Sequence, residues 1–159
     1  MSAVWIMPVA DRTQADIDNR TQKAYLNAID LNRIEGNIAY LSDTLNSYTY
    51  QIQPVLPTEW NLEDILNPAD IENITDKIKT ITEAYYEPIG FIDLSDLPEK
   101  SLDYEDINHI EQNLLGIKSL LDSGIHYTTS GELKQYTHGE LNAYTHKQIR
   151  KALNYPNFL

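Results

Sequence analysis

The amino-acid sequence predicts an all-α protein, in which three repeated amphipathic helices form a small bundle between an extended N-terminal arm and a C-terminal extension of short helical turns. Two observations lead to this prediction. A fifteen-residue pattern occurs at 27–41, 67–81 and 103–117, and an eight-residue pattern recurs between residues 127 and 151. We predict an arm with a short helix over residues 1–26, a three-repeat helical core over 27–126, and an octad-repeat extension over 127–159.

Apolar residues in each fifteen-residue repeat are spaced by three, four and three positions, as on one face of an α-helix. They are Leu31, Ile34, Ile38 and Leu41; Ile71, Ile74, Ile78 and Ile81; and Ile107, Ile110, Leu114 and Ile117. We expect helices over roughly 27–48, 67–86 and 103–122, each about 30 Å long. The connecting segments contain prolines and are predicted as loops. The alternation in YTYQIQPV at 48–55 would suit a short strand ended by Pro54.

Each repeat opens with a residue suited to begin a helix. Asn27, Asn67 or Asp103 can accept a hydrogen bond from an unpaired backbone N–H group. An aspartate follows three residues later, where the positive end of the helix dipole favours a carboxylate. The starts of all three helices are therefore predicted at these residues.

The octads of the tail predict several short helical turns rather than one continuous helix. In each octad a threonine is followed three residues later by Glu or Gln, which is the capping-box arrangement. A period of eight does not match 3.6 residues per turn, so a continuous helix would spread its apolar residues over all sides. We expect a thin extension that ends in a helix over 145–154. The alternative is a mobile tail.

Composition limits the partners of the chain. Its 159 residues include 12 Lys and Arg against 24 Asp and Glu, a net charge of −12. Such a surface repels nucleic acid and anionic lipid, so neither nucleic acid nor a membrane is expected as a partner. The absence of cysteine excludes disulfides and thiolate metal sites. The first residues lack the pattern of a secretory signal, and no apolar run would span a bilayer, so we expect synthesis in a cytoplasm.

No constellation of residues predicts catalysis, a cofactor or a metal site. The phosphate-binding glycine loop and the nucleophile elbow are both missing. His138 and His146 occupy the same octad position, so repetition explains their spacing better than metal ligation does. The chain is therefore expected not to be an enzyme. Its 11 tyrosines fit either the ends of the bundle core or anchors of an interface, and we favour the interface.

Polar residues recur next to the apolar positions of the first and third repeats. Asn32 and Arg33 match Asn108 and His109, whereas the middle repeat has Glu72 and Asn73. We expect the recurring pair to form hydrogen bonds between repeats or to a neighbouring backbone. The alternative is that these residues are solvated positions near the helix starts.

Residues 5–41 resemble the opening of small structural proteins of phages and prophages of Gram-positive bacteria. The resemblance is carried by a "Trp…Pro-Val-x-Asp-Arg-Thr-x-x-Asp" start and an "Asp-Leu-Asn-Arg-Ile-Glu-x-Asn" helix. The matching residues are Trp5, Pro8, Val9, Asp11, Arg12, Thr13 and Asp16, followed by Asp30, Leu31, Asn32, Arg33, Ile34, Glu35 and Asn37. Residues 106–113 and 130–132 are similar to later parts of those proteins, and the octads resemble "Tyr-Thr-x-x-x-Leu" repeats of phage minor structural and tail proteins.

The resemblance implies a virion component of the tail tip, baseplate or host-attachment apparatus, without catalytic residues. We expect an adaptor, made in the bacterial host cytoplasm, whose arm and octads bind other virion structural proteins or copies of itself in a symmetric homo-oligomer. The alternatives are a module that recognises a host cell-wall glycan, and a head or neck component. The candidate interface residues are Trp5, Arg12, Asn32, Arg33, Asn108, Tyr127, Tyr136 and Tyr144.

Overall fold

The computed structural model describes residues 3–48, 50–53 and 55–124, and more than half of these residues are helical, with no β-strand among them. The helices are α1 (Gln14–Asp18), α2 (Ala28–Ser47), α3 (Pro68–Ala84) and α4 (Tyr104–Asp122), with 3-10 turns at Gln22–Ala24 and Leu97–Glu99. The all-α prediction is confirmed for this part of the chain. The strand expected at 48–55 does not occur in its described residues. The extension predicted over 127–159 lies outside them.

The three long helices begin at the residues predicted to cap them. The Asn27 side chain accepts a hydrogen bond from the N–H of Asp30 at 3.2 Å, and the Asp30 carboxylate accepts one from the N–H of Asn27 at 3.3 Å. The same reciprocal pair occurs at the starts of α3 and α4. The predicted aspartates therefore do more than face the helix dipole, because each completes a capping box.

All the predicted apolar positions of α2, α3 and α4 are buried, and the helices contact one another in pairs around the core that these residues form. Trp60 from the segment before α3 joins this core, as do Tyr85 and Tyr86 at the end of α3. The ring centroids of Tyr50 and Tyr85 lie 5.3 Å apart in an edge-to-face arrangement. For Tyr85 and Tyr86 the core interpretation therefore applies rather than the interface interpretation.

The segments between the helices run back along the helices. Ile52 is bonded to Asn46, which lies near the C-terminal end of α2. Trp60 is bonded to Asn32, which lies near the N-terminal end of the same helix. The first connector (residues 48–66) thus returns to the N-terminal end of α2, where α3 begins. The second connector (residues 85–102) likewise passes from the middle of α4 to its N-terminal end, since Ile92 is bonded to Asn113 and Lys100 to Asp106. The three long helices are therefore parallel.

Close packing of the second connector on α4 depends on a glycine. A Cβ atom at Gly116 would lie 3.0 Å from Cγ and 3.3 Å from Cβ of the buried Pro88. By contrast, a Cβ atom at Gly36 of α2 would meet nothing within 4 Å. Of these two helical glycines, the one in α4 is therefore the one that the packing requires.

The described part of the arm (residues 3–26) lies on α2 and α4 of its own chain. Its backbone is bonded at Ile6 to Asn37 of α2 and at Arg12 to Asn108 of α4. The arm is therefore attached to its own chain at these two points, and its expected binding to neighbours stays a prediction. The backbone groups at Ile6 and Arg12 are already bonded within the chain.

Candidate functional site

The most elaborate polar site in the described residues lies where the arm crosses α2 and α4. We call Arg12, Asp30, Arg33 and Glu111 the arm network. Glu111 accepts hydrogen bonds from the N–H of Val9 at 2.8 Å, from Arg12 Nη1 at 3.2 Å, and from Arg33 Nε and Nη2 at 3.0 and 2.5 Å. Asp30 Oδ1 accepts from Arg12 Nη2 at 3.0 Å and from Arg33 Nη2 at 2.6 Å. Arg12 Nη1 also donates to the carbonyl oxygen of Val9.

The charges of the arm network balance in a site that excludes water. The side chains of Arg12 and Glu111 are fully buried, and those of Asp30 and Arg33 are about nine-tenths buried. Two cations face two anions, which is the condition under which buried charge is tolerated. Burial alone would lower the pKa of Arg33, but the hydrogen bonds and charges of Glu111 and Asp30 outweigh it, and this pKa is raised.

A second ion pair ties the start of α4 to the second connector. The Asp106 carboxylate lies 2.8 Å from Lys100 Nζ and accepts the N–H of Asp103 at 3.0 Å. Burial favours the protonated form of Asp106. The hydrogen bonds from Lys100 and from the Asp103 backbone, with the charge of Lys100, outweigh that effect and lower the pKa of Asp106 below its ordinary value.

Five asparagines hold the extended segments on α2 and α4 in one common way. Each side-chain amide accepts a hydrogen bond from the N–H of one residue and donates to the carbonyl oxygen of that same residue, at 2.7–3.0 Å. A primary amide presents a donor and an acceptor side by side, so it can satisfy both backbone groups of an extended residue that lies in no sheet. The pairs are Asn32 with Trp60, Asn37 with Ile6, Asn46 with Ile52, Asn108 with Arg12, and Asn113 with Ile92.

The structure brings several predicted interface residues together inside the chain. Arg12, Arg33 and Asn108 are only 3%, 8% and 7% exposed, and their hydrogen bonds are internal. The Asn32 amide is bonded to the Trp60 backbone. This is the bonding to a neighbouring backbone that the sequence suggested for Asn32 and Asn108. The hydrogen bonds of these four residues are thus made to other parts of the same fold. Their role in an interface stays a prediction.

Trp5, another predicted interface residue, keeps one side open to solvent. Half-buried, it lies with its ring centroid 5.8 Å from that of Tyr40, and Lys118 Nζ lies 5.7 Å from both centroids. This is a cation–π arrangement on the outside of α2 and α4. Tyr127, Tyr136 and Tyr144 lie outside the described residues, so their interface role stays a prediction.

Sequence reasoning missed the residues that complete the site, although a pattern for them is present. Asn-x-x-Glu-x-Asn occurs at 32–37 and again at 108–113. The glutamates of the two copies are fully buried, and the second asparagines hold the arm and the second connector. In α3 the corresponding positions are Glu72, Thr75 and Lys77. Lys77 Nζ instead reaches Glu35 of α2, at 2.8 and 3.1 Å.

A cleft of about 740 Å³ opens at the N-terminal ends of α2 and α4. Apolar and aromatic side chains line it, among them Tyr25, Leu62 and Tyr104, together with the carboxylates of Asp64 and Asp103. Burial raises the pKa of Tyr104, and the negative charges of Glu105, Asp103 and Asp18 raise it further. The cleft is therefore lined by a mixture of apolar and polar side chains, and its charged lining residues are negative.

Within residues 3–48, 50–53 and 55–124 no group of His, Asp or Glu side chains is arranged to hold a metal ion. In the same ranges no helix has the length and apolarity needed to cross a membrane. No family model, curated protein or solved structure matches the chain.

Proposed function

We propose that this protein is a non-enzymatic structural component of a bacteriophage virion, an adaptor in the tail tip, baseplate or host-attachment apparatus. One observation carries the proposal. Residues that bear the resemblance to phage structural proteins, among them Arg12, Asp30, Arg33, Glu35 and Asn37, are the residues that dock the arm and the neighbouring helices. What is shared with those proteins is thus a framework for holding shape.

The physical character of the framework suits an adaptor. Ion pairs of balanced charge are buried between the arm and the helices. Asparagine amides, bonded through both their oxygen and their nitrogen, attach extended backbone to the helices at defined positions. Removing any one partner would leave a buried polar group unsatisfied, which strongly favours a single arrangement of arm and helices. A fixed arrangement of this kind serves a protein whose surface must match neighbours in a particle.

We further infer that α2, α3 and α4 derive from one repeated unit of an extended segment and a capped helix. The shared caps and buried stripes support this origin, and the Asn-x-x-Glu-x-Asn pattern of α2 and α4 supports it further. In this proposal residues 27–126 form the core, and residues 127–159 provide the contacts to other virion proteins and to copies of the chain in a symmetric oligomer. Residues 1–26 brace the core, and the half-buried Trp5 is a further contact to a neighbour.

The virion assignment is tested on purified particles. The gene for this chain, in the phage or prophage that carries it, would be fitted with an epitope tag, and particles would be separated on a density gradient. We expect the tagged chain to co-sediment with infectious particles and antibody to label the tail. Labelling of the neck would support the head or neck alternative, and absence from the particles would refute a virion role.

Glycan recognition is a separate proposal that depends on the octad tyrosines. Binding of the purified chain to host wall polysaccharide, lost when both Tyr136 and Tyr144 are replaced by alanine, would support it. An adaptor without this activity would be found in particles but would not bind the polysaccharide. The two measurements therefore separate the two functions.

A further inference from the structure

Apolar side chains stand exposed in and beside the cleft. Tyr25 and Leu62, which line it, are 54% and 88% exposed. Ile29 and Ile65 are 73% and 87% exposed, and each is adjacent in sequence to a lining residue. Clustered exposed apolar residues mark binding surfaces, and a cleft of this volume can hold several side chains.

The charge around the cleft selects what can enter. Asp64 and Asp103 are among the lining residues, which include no lysine or arginine. Tyr104 also lines the cleft, and besides burial the charges of Glu105, Asp103 and Asp18 raise its pKa, so negative charge lies close to this lining residue. A complementary occupant would combine apolar side chains with positive charge and would carry no carboxylate.

One segment of the chain itself has this composition. Residues 1–124 contain eight Lys and Arg against 22 Asp and Glu, a net charge of −14, whereas residues 125–159 contain four against two, a net charge of +2. The positive residues concentrate in YTHKQIRK at 144–151, which has Lys147, Arg150 and Lys151, no acidic residue, and the apolar side chains Tyr144 and Ile149.

The chain is long enough for this segment to reach the cleft of its own molecule. The described residues end at Gly124, next to the C-terminal end of α4, and the cleft lies at the opposite end of that helix. The 19 residues of α4 correspond to about 28 Å. Residues 125–143 can span at most roughly 65 Å. Contact within one molecule also benefits from a high effective concentration, so it does not require high intrinsic affinity.

We propose that residues 144–151 bind in the cleft at the N-terminal ends of α2 and α4 of the same molecule. The basic side chains face Asp64 and the neighbouring carboxylates, and the apolar side chains cover Tyr25 and Leu62. This contact is a property of the isolated chain and does not depend on its proposed place in a virion.

A single spin label tests the contact directly. Because the chain contains no cysteine, Ala143→Cys introduces one labelling site beside the segment. In the full chain labelled with ¹⁵N, we expect the nitroxide to broaden the amide signals of Tyr25, Leu62 and Ile65 beyond detection, and reduction with ascorbate to restore them. The amide of Glu83, at the far end of the parallel helices, should keep its intensity. Broadening confined to residues near Gly124, or equal at Glu83, would overturn the proposal.

Matched variants separate specific binding from chance proximity. Leu62→Asp should abolish the broadening at Tyr25 and Ile65. Leu56→Asp, at a residue 82% exposed that does not line the cleft, should leave it unchanged. Both changes are at exposed positions, so neither should disturb the fold. Equal effects of the two variants would contradict binding in the cleft.

Changes in the tail complete the test. The combined variant Lys147→Glu, Arg150→Glu, Lys151→Glu should abolish the broadening, whereas Lys134→Glu, which lies outside the segment, should preserve it. High salt should weaken it, because the charges involved are near the surface. In a mixture of spin-labelled chains without ¹⁵N and unlabelled chains with ¹⁵N, broadening would show that the segment binds another copy, which would refute the intramolecular contact.

Discussion

Replacing Glu111 with glutamine removes one of the two negative charges of the arm network while keeping the size of the side chain. The carboxylate accepts hydrogen bonds from the arm at Val9 and Arg12, and two from Arg33. Glutamine would place an amide N–H₂ group against some of these donors. Arg12 and Arg33 would then share only Asp30 as a counter-charge.

The magnitude follows from the burial of the site. Removing one member of a buried, hydrogen-bonded ion pair costs about 3–5 kcal/mol, because the remaining charges are less compensated and have little access to water. For a folded unit of about 120 to 160 residues, a loss of about 4 kcal/mol lowers Tm by roughly 12–16 °C. That loss is a large fraction of the stability of an ordinary domain, which is about 5–15 kcal/mol.

Urea unfolding followed by circular dichroism would measure the effect on the full chain, with Glu83→Gln as the matched control. The Glu83 side chain is 68% exposed and lies 4.0 Å from Lys79, so its removal should cost less than about 1 kcal/mol. If the two variants unfolded at the same urea concentration with equal slopes, the arm network would contribute nothing net to stability, and our reasoning about it would be wrong.

Three further predictions concern the docking of the connectors and the arm. Asn108→Ala leaves a buried N–H and carbonyl group of the arm unsatisfied and should destabilise by about 2–4 kcal/mol, whereas Gln112→Ala, whose amide makes one exposed hydrogen bond, should cost much less in the same urea assay. Gly36→Ala should stabilise by about 0.5–1 kcal/mol through helix propensity. Gly116→Ala should lack this stabilisation, because its added Cβ crowds the buried Pro88. The urea midpoints of the two variants should therefore differ. The lowered pKa of Asp106 implies stability that is fully present above the unfolded pKa near 4 and is lost as pH falls through the folded value. The stability difference between wild type and Asp106→Asn should therefore shrink as the pH falls below about 4, and a constant difference would contradict this assignment.

The helices of this protein could be predicted from local patterns because the information needed is local. A cap such as Asn67 or Asp103 bonds backbone N–H groups within three residues. A periodic row of apolar residues predicts that one face of the helix is buried, whichever segment covers that face. The predicted starts agree with the structure, and the stripes are buried as expected. The predicted ends of α2 and α3 lie one to two residues beyond the observed ends, since no glycine or proline marks them.

The site could be predicted only in part. Asn32 and Asn108 stood out because they recur at the same position, yet recurrence does not identify a partner. Their partners, Trp60 and Arg12, are 28 and 96 residues away in the chain. Glu111 does not stand out in the sequence for a related reason: in an acidic chain, one more carboxylate on a helix resembles a solvated residue until its neighbours are known.

By itself, then, the sequence determined where the helices start, which faces they bury and which polar positions repeat. The tertiary structure alone decided that the connectors return along the helices and make them parallel, and that the arm places Arg12 beside Glu111. The physical reason is range. Caps and stripes act over one to four residues, whereas ion pairing and amide-to-backbone bonding depend on which distant segments share a groove, and only the packed chain establishes that proximity.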